Sequence, residues 1–109
     1  MKKICFDLDG VICNNTYGEY DKAQPIQKAI QKINRLYEEG NEIIIFTARF
    51  MGRTGGDFKK SYEFGFDQAK SQIDSWGLKY HQLKLGKPEY DIIVDDKGFG
   101  YSEKWIDEL

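Results

Sequence analysis

Nitrogen and sulfur metal ligands are scarce: the chain has one histidine, His81, and two cysteines, Cys5 and Cys13. Neither their number nor their spacing makes a zinc site. Two cysteines do not make a disulfide framework, and they fit free, buried or half-buried thiols in a reducing compartment. An excess of positive charge is also missing. The net charge is -2, so no broad basic surface supports binding to a nucleic-acid backbone. No apolar run approaches the ~20 residues that span a bilayer. The opening Met1-Lys2-Lys3-Ile4 is not followed by an apolar stretch of signal-peptide length. Repeats, linkers and low-complexity tracts are absent from the sequence. The expectation is a cytoplasmic protein that binds neither membrane nor nucleic acid.

What is present fits one domain over residues 1–109. Apolar residues make up 40% and aromatics 15%, enough for a core in a chain of this length. The charged fraction is 31% but balanced in sign, which argues against disorder.

Lys2–Phe6 reads as a strand. Asp7–Gln24, with Gly10, Asn14, Asn15, Gly18 and Asp21, reads as an irregular loop with room for a short hairpin. Pro25 suits the first position of a helix, and Ile26, Ala29, Ile30, Ile33, Leu36 and Tyr37 form an apolar face over Pro25–Glu39, with Gly40 as its stop. Ile43-Ile44-Ile45-Phe46 within Glu42–Phe46 has the continuous apolar character of a strand buried on both faces. Ala48–Lys60 reads as a mobile loop, and a second helix is expected within Ser61–Trp76. Tyr80–Leu85 is a weak third strand, and Ile92-Ile93-Val94 a compact fourth. Ser102 is positioned to cap a last short helix carrying Trp105, Ile106 and Leu109. This order predicts an α/β fold, a Rossmann-like parallel sheet with flanking helices.

In such a sheet the strand ends meet along one edge, where ligands bind. Asp7 and Asp9, Thr47, and Asp95-Asp96 each follow an apolar strand. A bare cluster of four carboxylates would repel itself, and a divalent cation removes the problem. All-oxygen ligands suit Mg2+, held by one or two carboxylates plus a substrate phosphate. Asp7 can then serve as a carboxylate nucleophile. Asp9, on the same side of an extended segment, can move protons. Thr47 can hydrogen-bond phosphoryl oxygens, Lys87 can neutralise transition-state charge, and Gly10 lets the backbone turn away. Arg49 and Arg53 read either as substrate-gripping cations or as solvated surface. Tyr17, Tyr20, Phe58 and Tyr62 suit a sugar-binding surface or local packing.

Four segments resemble, in order, the motifs of the haloacid dehalogenase superfamily of phosphohydrolases. They are Ile4-Cys5-Phe6-Asp7-Leu8-Asp9-Gly10, Ile45-Phe46-Thr47-Ala48, Gly86-Lys87-Pro88, and Ile92-Ile93-Val94-Asp95-Asp96. Together they run through essentially the whole chain. The resemblance implies Asp7 as nucleophile, Asp9 as acid and base, and Thr47, Ala48, Arg49 and Lys87 around the phosphate. It implies Mg2+ held by Asp7, the backbone carbonyl of Asp9, and Asp96, with Asp95 behind them near Lys87. The residues themselves leave open which of Asp95 and Asp96 is the direct ligand. An aspartate at position 9 is typical of the phosphatase and mutase branches, so a phosphomonoester is the implied substrate class.

Family members carry cap domains after the first motif or between the second and third. Here 37 residues separate Asp9 from Thr47 and 39 separate Thr47 from Lys87, and each interval already holds a helix. That implies a capless member with an open site, suited to a large substrate or to completion by a second subunit in a homo-oligomer. Phe46-Thr47-Ala48-Arg49, the Gly-rich loop after it, and Gly86-Lys87-Pro88-Glu89-Tyr90-Asp91 with Asp95-Asp96-Lys97 are similar to a small bacterial subgroup assigned to capsule-polysaccharide biosynthesis, which points to a sugar phosphate or a polysaccharide-linked phosphate. Two other classes share parts of this residue set. A receiver-type phospho-acceptor domain also uses Asp, Thr and Lys, but places its phosphorylated Asp after a middle strand. A catalytically silent phosphate-binding module would not need the complete set.

Overall fold

A computed structural model of the chain describes residues 1–100, 102 and 104–109. Among them, three strands form one parallel sheet in the order β1 (Lys3–Phe6), β2 (Glu42–Phe46), β3 (Gln82–Lys84). The register sets Ile4 beside Ile43 and Phe6 beside Ile45, then Ile45 beside Leu83 and Phe46 beside Lys84. Helices α1 (Gln27–Glu38), α2 (Phe58–Ser75) and α3 (Trp105–Glu108) flank the sheet. The architecture is that of a small Rossmann-like α/β domain. No helix among the described residues is long and apolar enough to cross a membrane.

The apolar patterns explain these elements. Ala29, Ile30, Ile33 and Leu36 form the buried face of α1. Pro25 stands outside it: Pro25 bridges to Cys13, and Ile26 is the N-cap. The Cys13–Pro25 bridge, with Asn14 N donating to Gln24 O at 3.1 Å, makes the hairpin-like turn of the first loop. In β2 only Ile43 and Ile45 are fully buried, while Ile44 and Phe46 are half-buried, so the two faces of the strand are covered unequally. α2 starts ahead of Ser61 because Asp57 caps it, its carboxylate accepting from Lys60 N at 3.0 Å. Its buried positions Ser61, Gly65, Ala69 and Ile73 recur every four residues. At Gly65 the missing side chain admits the ring of Phe50, which pins the loop between β2 and α2. Ser102 accepts from Lys104 N at 3.2 Å just before α3. Trp105 closes the core with its ring 5.6 Å from that of Phe6.

One expected element is not formed. Ile92, Ile93 and Val94 make no strand and are 82%, 58% and 94% exposed. After β3 the chain turns at Gly86, φ +91°, and Lys87 N donates to Thr47 O at 3.2 Å; beyond that it leaves the sheet. A strand of three residues supplies few ladder bonds of its own. β1 therefore remains at the edge of the sheet.

Candidate active site

Parallel pairing brings the carboxyl ends of β1, β2 and β3 to one edge, and the side chains that follow them meet there. Asp7 follows β1. Its Oδ1 accepts from Leu8 N at 2.8 Å, which orients the carboxylate, and its Oδ2 lies 3.2 Å from Lys87 Nζ. The Asp7 side chain is 36% exposed and that of Lys87 only 14%. Lys87 also hydrogen-bonds Tyr90 and lies 5.3 Å from the centre of its ring. Burial on its own pulls the ammonium toward its neutral form. The hydrogen bond to Tyr90 and the charge of Asp7 outweigh burial, and its pKa stands above the ordinary lysine value.

Thr47 follows β2 and is buried. Its hydroxyl oxygen accepts from Arg49 N at 3.1 Å, which closes a tight turn through Ala48. Asp9 faces Arg49 rather than the solvent. Arg49 Nε donates to Asp9 Oδ2 and Nη2 to Asp9 Oδ1, both at 2.9 Å. The Arg49 side chain is 0% exposed and that of Asp9 18%. Behind the pair lies Cys13, whose thiol donates to Asp9 Oδ1 at 3.4 Å. Burial first, and then the charge of Asp9, push its pKa up to about 12. The thiol therefore stays protonated at neutral pH.

The edge thus gathers Asp7 with Lys87, and Asp9 with Arg49 and Thr47. Asp95 and Asp96 lie on an exposed turn, where Asp95 Oδ1 accepts from Lys97 N at 2.8 Å. No group of three or more His, Cys, Asp or Glu side chains suited to a metal ion forms among the described residues. Arg53 donates to Gly18 O at 2.8 Å and lies over the Phe50 ring, tying two loops together. Phe58 packs over Gly86 and neighbours Tyr62.

Sequence reasoning passed over Tyr90, Gln68 and Gln72. The two glutamines sit four positions apart on α2, one turn of the helix, and both accept from Arg49. A polar i,i+4 pair on a helix that must pack was the available signal. Tyr90 lies in a segment that shares the subgroup resemblance, but nothing in that resemblance singles out its contact with Lys87.

No protein-family model matches the chain, and no curated protein matches it. Among solved structures, a crystal structure from Vibrio cholerae is similar over 99% of this chain and 95% of its own, with 24% identity and a TM-score of 0.84. The D,D-heptose 1.7-bisphosphate phosphatase from B. bronchiseptica, complexed with magnesium and phosphate, is similar over 78% of this chain and 49% of its own, with 18% identity and a TM-score of 0.54. At these identities the likeness is one of fold.

Proposed function

We propose that the chain is a capless phosphomonoester hydrolase of the haloacid dehalogenase type, working through an aspartyl-phosphate on Asp7. The observation that carries this reading is the Asp7–Lys87 pair at the carboxyl edge of the sheet, 3.2 Å apart, with Asp9 two residues on. The carboxylate of Asp7 attacks phosphorus, and the bond from phosphorus to the ester oxygen breaks. The departing oxygen takes a proton from Asp9, which returns to the carboxylate form. A water then gives its proton to Asp9 as its oxygen attacks the same phosphorus, releasing inorganic phosphate and restoring Asp7. Lys87 offsets negative charge on the phosphoryl oxygens, and the Thr47 hydroxyl donates to one of them. Both Asp9 oxygens accept from Arg49 in this structure, and the four lone-pair sites of a carboxylate leave room for the moving proton beside those contacts.

The donor set suits Mg2+: it is all oxygen, and a half-exposed carboxylate at a strand end matches an ion usually held by one or two carboxylates plus substrate phosphate. Asp7 and the backbone carbonyl of Asp9 would hold it, joined by Asp96, with Asp95 near Lys87. Bound there, it would neutralise phosphoryl charge. The exposed apolar run Ile92-Ile93-Val94 and the open edge of β1 support recruitment of Asp96 from the following turn. The heptose bisphosphate substrate of the B. bronchiseptica neighbour supports a sugar phosphate as the substrate class. Capsule or other surface-carbohydrate synthesis in the cytoplasm is the setting this suggests, with a second copy of the chain as the candidate lid.

Phosphate release from p-nitrophenyl phosphate and a panel of sugar phosphates, with and without Mg2+, tests the reading. Magnesium-dependent turnover that disappears in a folded Asp7→Asn variant is the expected result. Wild-type turnover in that variant sinks it. A phosphorylated Asp7 that persists for minutes without turnover assigns the chain to the receiver class instead.

A further inference from the structure

An arginine two residues after the phosphate-binding threonine invites assignment to the substrate, but its donors are already committed. A guanidinium has five N–H donors, and five acceptors surround this one. Nε–H and one Nη2–H go to the two oxygens of Asp9, both at 2.9 Å. The other Nη2–H goes to Cys13 Sγ at 3.7 Å. The two Nη1–H go to Gln68 Oε1 at 3.1 Å and Gln72 Oε1 at 2.7 Å. The plane lies over Tyr20, 4.8 Å from the ring centre, and no part of the side chain reaches solvent.

We propose that Arg49 is a positioning residue for Asp9 and makes no contact with the substrate. It holds both carboxylate oxygens in a two-point geometry that lysine cannot copy. Gln68 and Gln72 hold the guanidinium from α2, and Gln72 Nε2 donates to Tyr20 O at 2.7 Å. Asp9 is thereby tied to α2 and, through Gln72, to Tyr20 farther along the first loop. The orientation of the proton-moving carboxylate depends on how α2 sits. The proposal rests on the phosphohydrolase reading, within which it moves Arg49 from binding phosphate to aiming Asp9.

Steady-state kinetics of the full chain on p-nitrophenyl phosphate with Mg2+ test it, alongside competitive inhibition by orthovanadate and a thermal melt for each protein. Arg49→Lys is expected to lower kcat by up to about 10²-fold, the size of effect a small misplacement of a catalytic group produces. KM and the vanadate inhibition constant should stay within about twofold, because neither substrate nor anion touches the guanidinium. Gln72→Leu keeps the cation and removes one anchor; it should lower kcat severalfold with KM again unchanged, and it serves if Arg49→Lys does not fold. Weakened vanadate inhibition with a raised KM and kept kcat would overturn the proposal by placing Arg49 on the phosphate. Wild-type kcat in the folded fraction of both variants would reduce Arg49 to packing and also overturn it. A wild-type protein without turnover fails the phosphohydrolase reading itself and the proposal with it. A turning-over wild type with unaltered variants fails only the proposal.

Discussion

Lys87 Nζ lies 3.2 Å from Asp7 Oδ2, joining the loop after β3 to the residue that follows β1. Nothing local draws these two together. The contact exists because β2 separates and aligns the two strands, so that both carboxyl ends reach the same edge. Gly86 gives the turn that aims the lysine inward: its φ of +91° suits glycine, and Phe58 occupies the space a side chain there would need.

Replacing Lys87 with methionine keeps the aliphatic stem and deletes the charge. On the phosphohydrolase reading, kcat should fall by about 10²–10³-fold, the size seen when one preorganised donor to a developing oxyanion is removed. The fold should remain, since the carboxylate left without its partner, Asp7, is 36% exposed and open to water. Turnover within about threefold of wild type would show that Lys87 does not face the reacting phosphoryl group.

The same lysine marks the alkaline behaviour of the fold. Its pKa is raised in the folded chain, where Tyr90 and Asp7 outweigh the opposing effect of burial. A raised folded value means that the native state holds the proton more tightly than the unfolded chain. The stabilisation is therefore complete below the ordinary lysine range and fades as pH rises through and above it. Cys13, pushed up to about 12, acts in the same direction once pH exceeds the ordinary thiol value. Urea midpoints measured from about pH 8 to about pH 11.5 should fall for wild type and fall less steeply for Lys87→Met. The slope left in that variant belongs partly to Cys13 and should flatten further on Cys13→Ser. Parallel slopes for wild type and Lys87→Met would remove Lys87 from this linkage.

The two cysteines should differ in reactivity. Cys13 is fully buried, and at pH 8 a thiol with a value of about 12 holds about 10³-fold less thiolate than an ordinary one. Alkylation by iodoacetamide under native conditions, mapped by mass spectrometry, should mark Cys5, which is exposed, and leave Cys13 unmodified. Denaturant should open both. Comparable native labelling of the two would mean that the Asp9–Arg49 region opens far more often than its burial implies.

The features legible in sequence were those that a few neighbouring residues determine. Ile43-Ile44-Ile45-Phe46 could only be a strand, and the spacing of Ala29, Ile30, Ile33 and Leu36 could only be one face of a helix. Asp7, Thr47 and Lys87 were placed correctly relative to strand ends because a parallel sheet aligns those ends wherever the strands begin. What escaped depends on long-range burial. A charged residue in a Gly-rich loop is ordinarily solvated, and nothing near Arg49 in sequence says that Asp9, Gln68 and Gln72 will surround it. Ile92-Ile93-Val94 misled for the opposite reason. Its apolar character suits a strand, but three residues do not determine whether the chain returns to the sheet, and in this structure it does not.

Stability should show the asymmetry of the Asp9–Arg49 pair. Asp9→Leu leaves the guanidinium with no counter-charge and with no exposed surface, so the cost should be about 3–5 kcal/mol, as for other buried pairs that lose one partner. Arg49→Met leaves a carboxylate that is already 18% exposed and can turn toward water, so the loss should be smaller, about 1–3 kcal/mol. The double variant has no buried charge left to desolvate and should be more stable than Asp9→Leu alone, because apolar replacement of a whole pair is often neutral. Urea unfolding of the four proteins closes the cycle. A double variant no more stable than Asp9→Leu would show that the destabilisation comes from lost packing around Cys13 and Tyr20 rather than from the stranded charge.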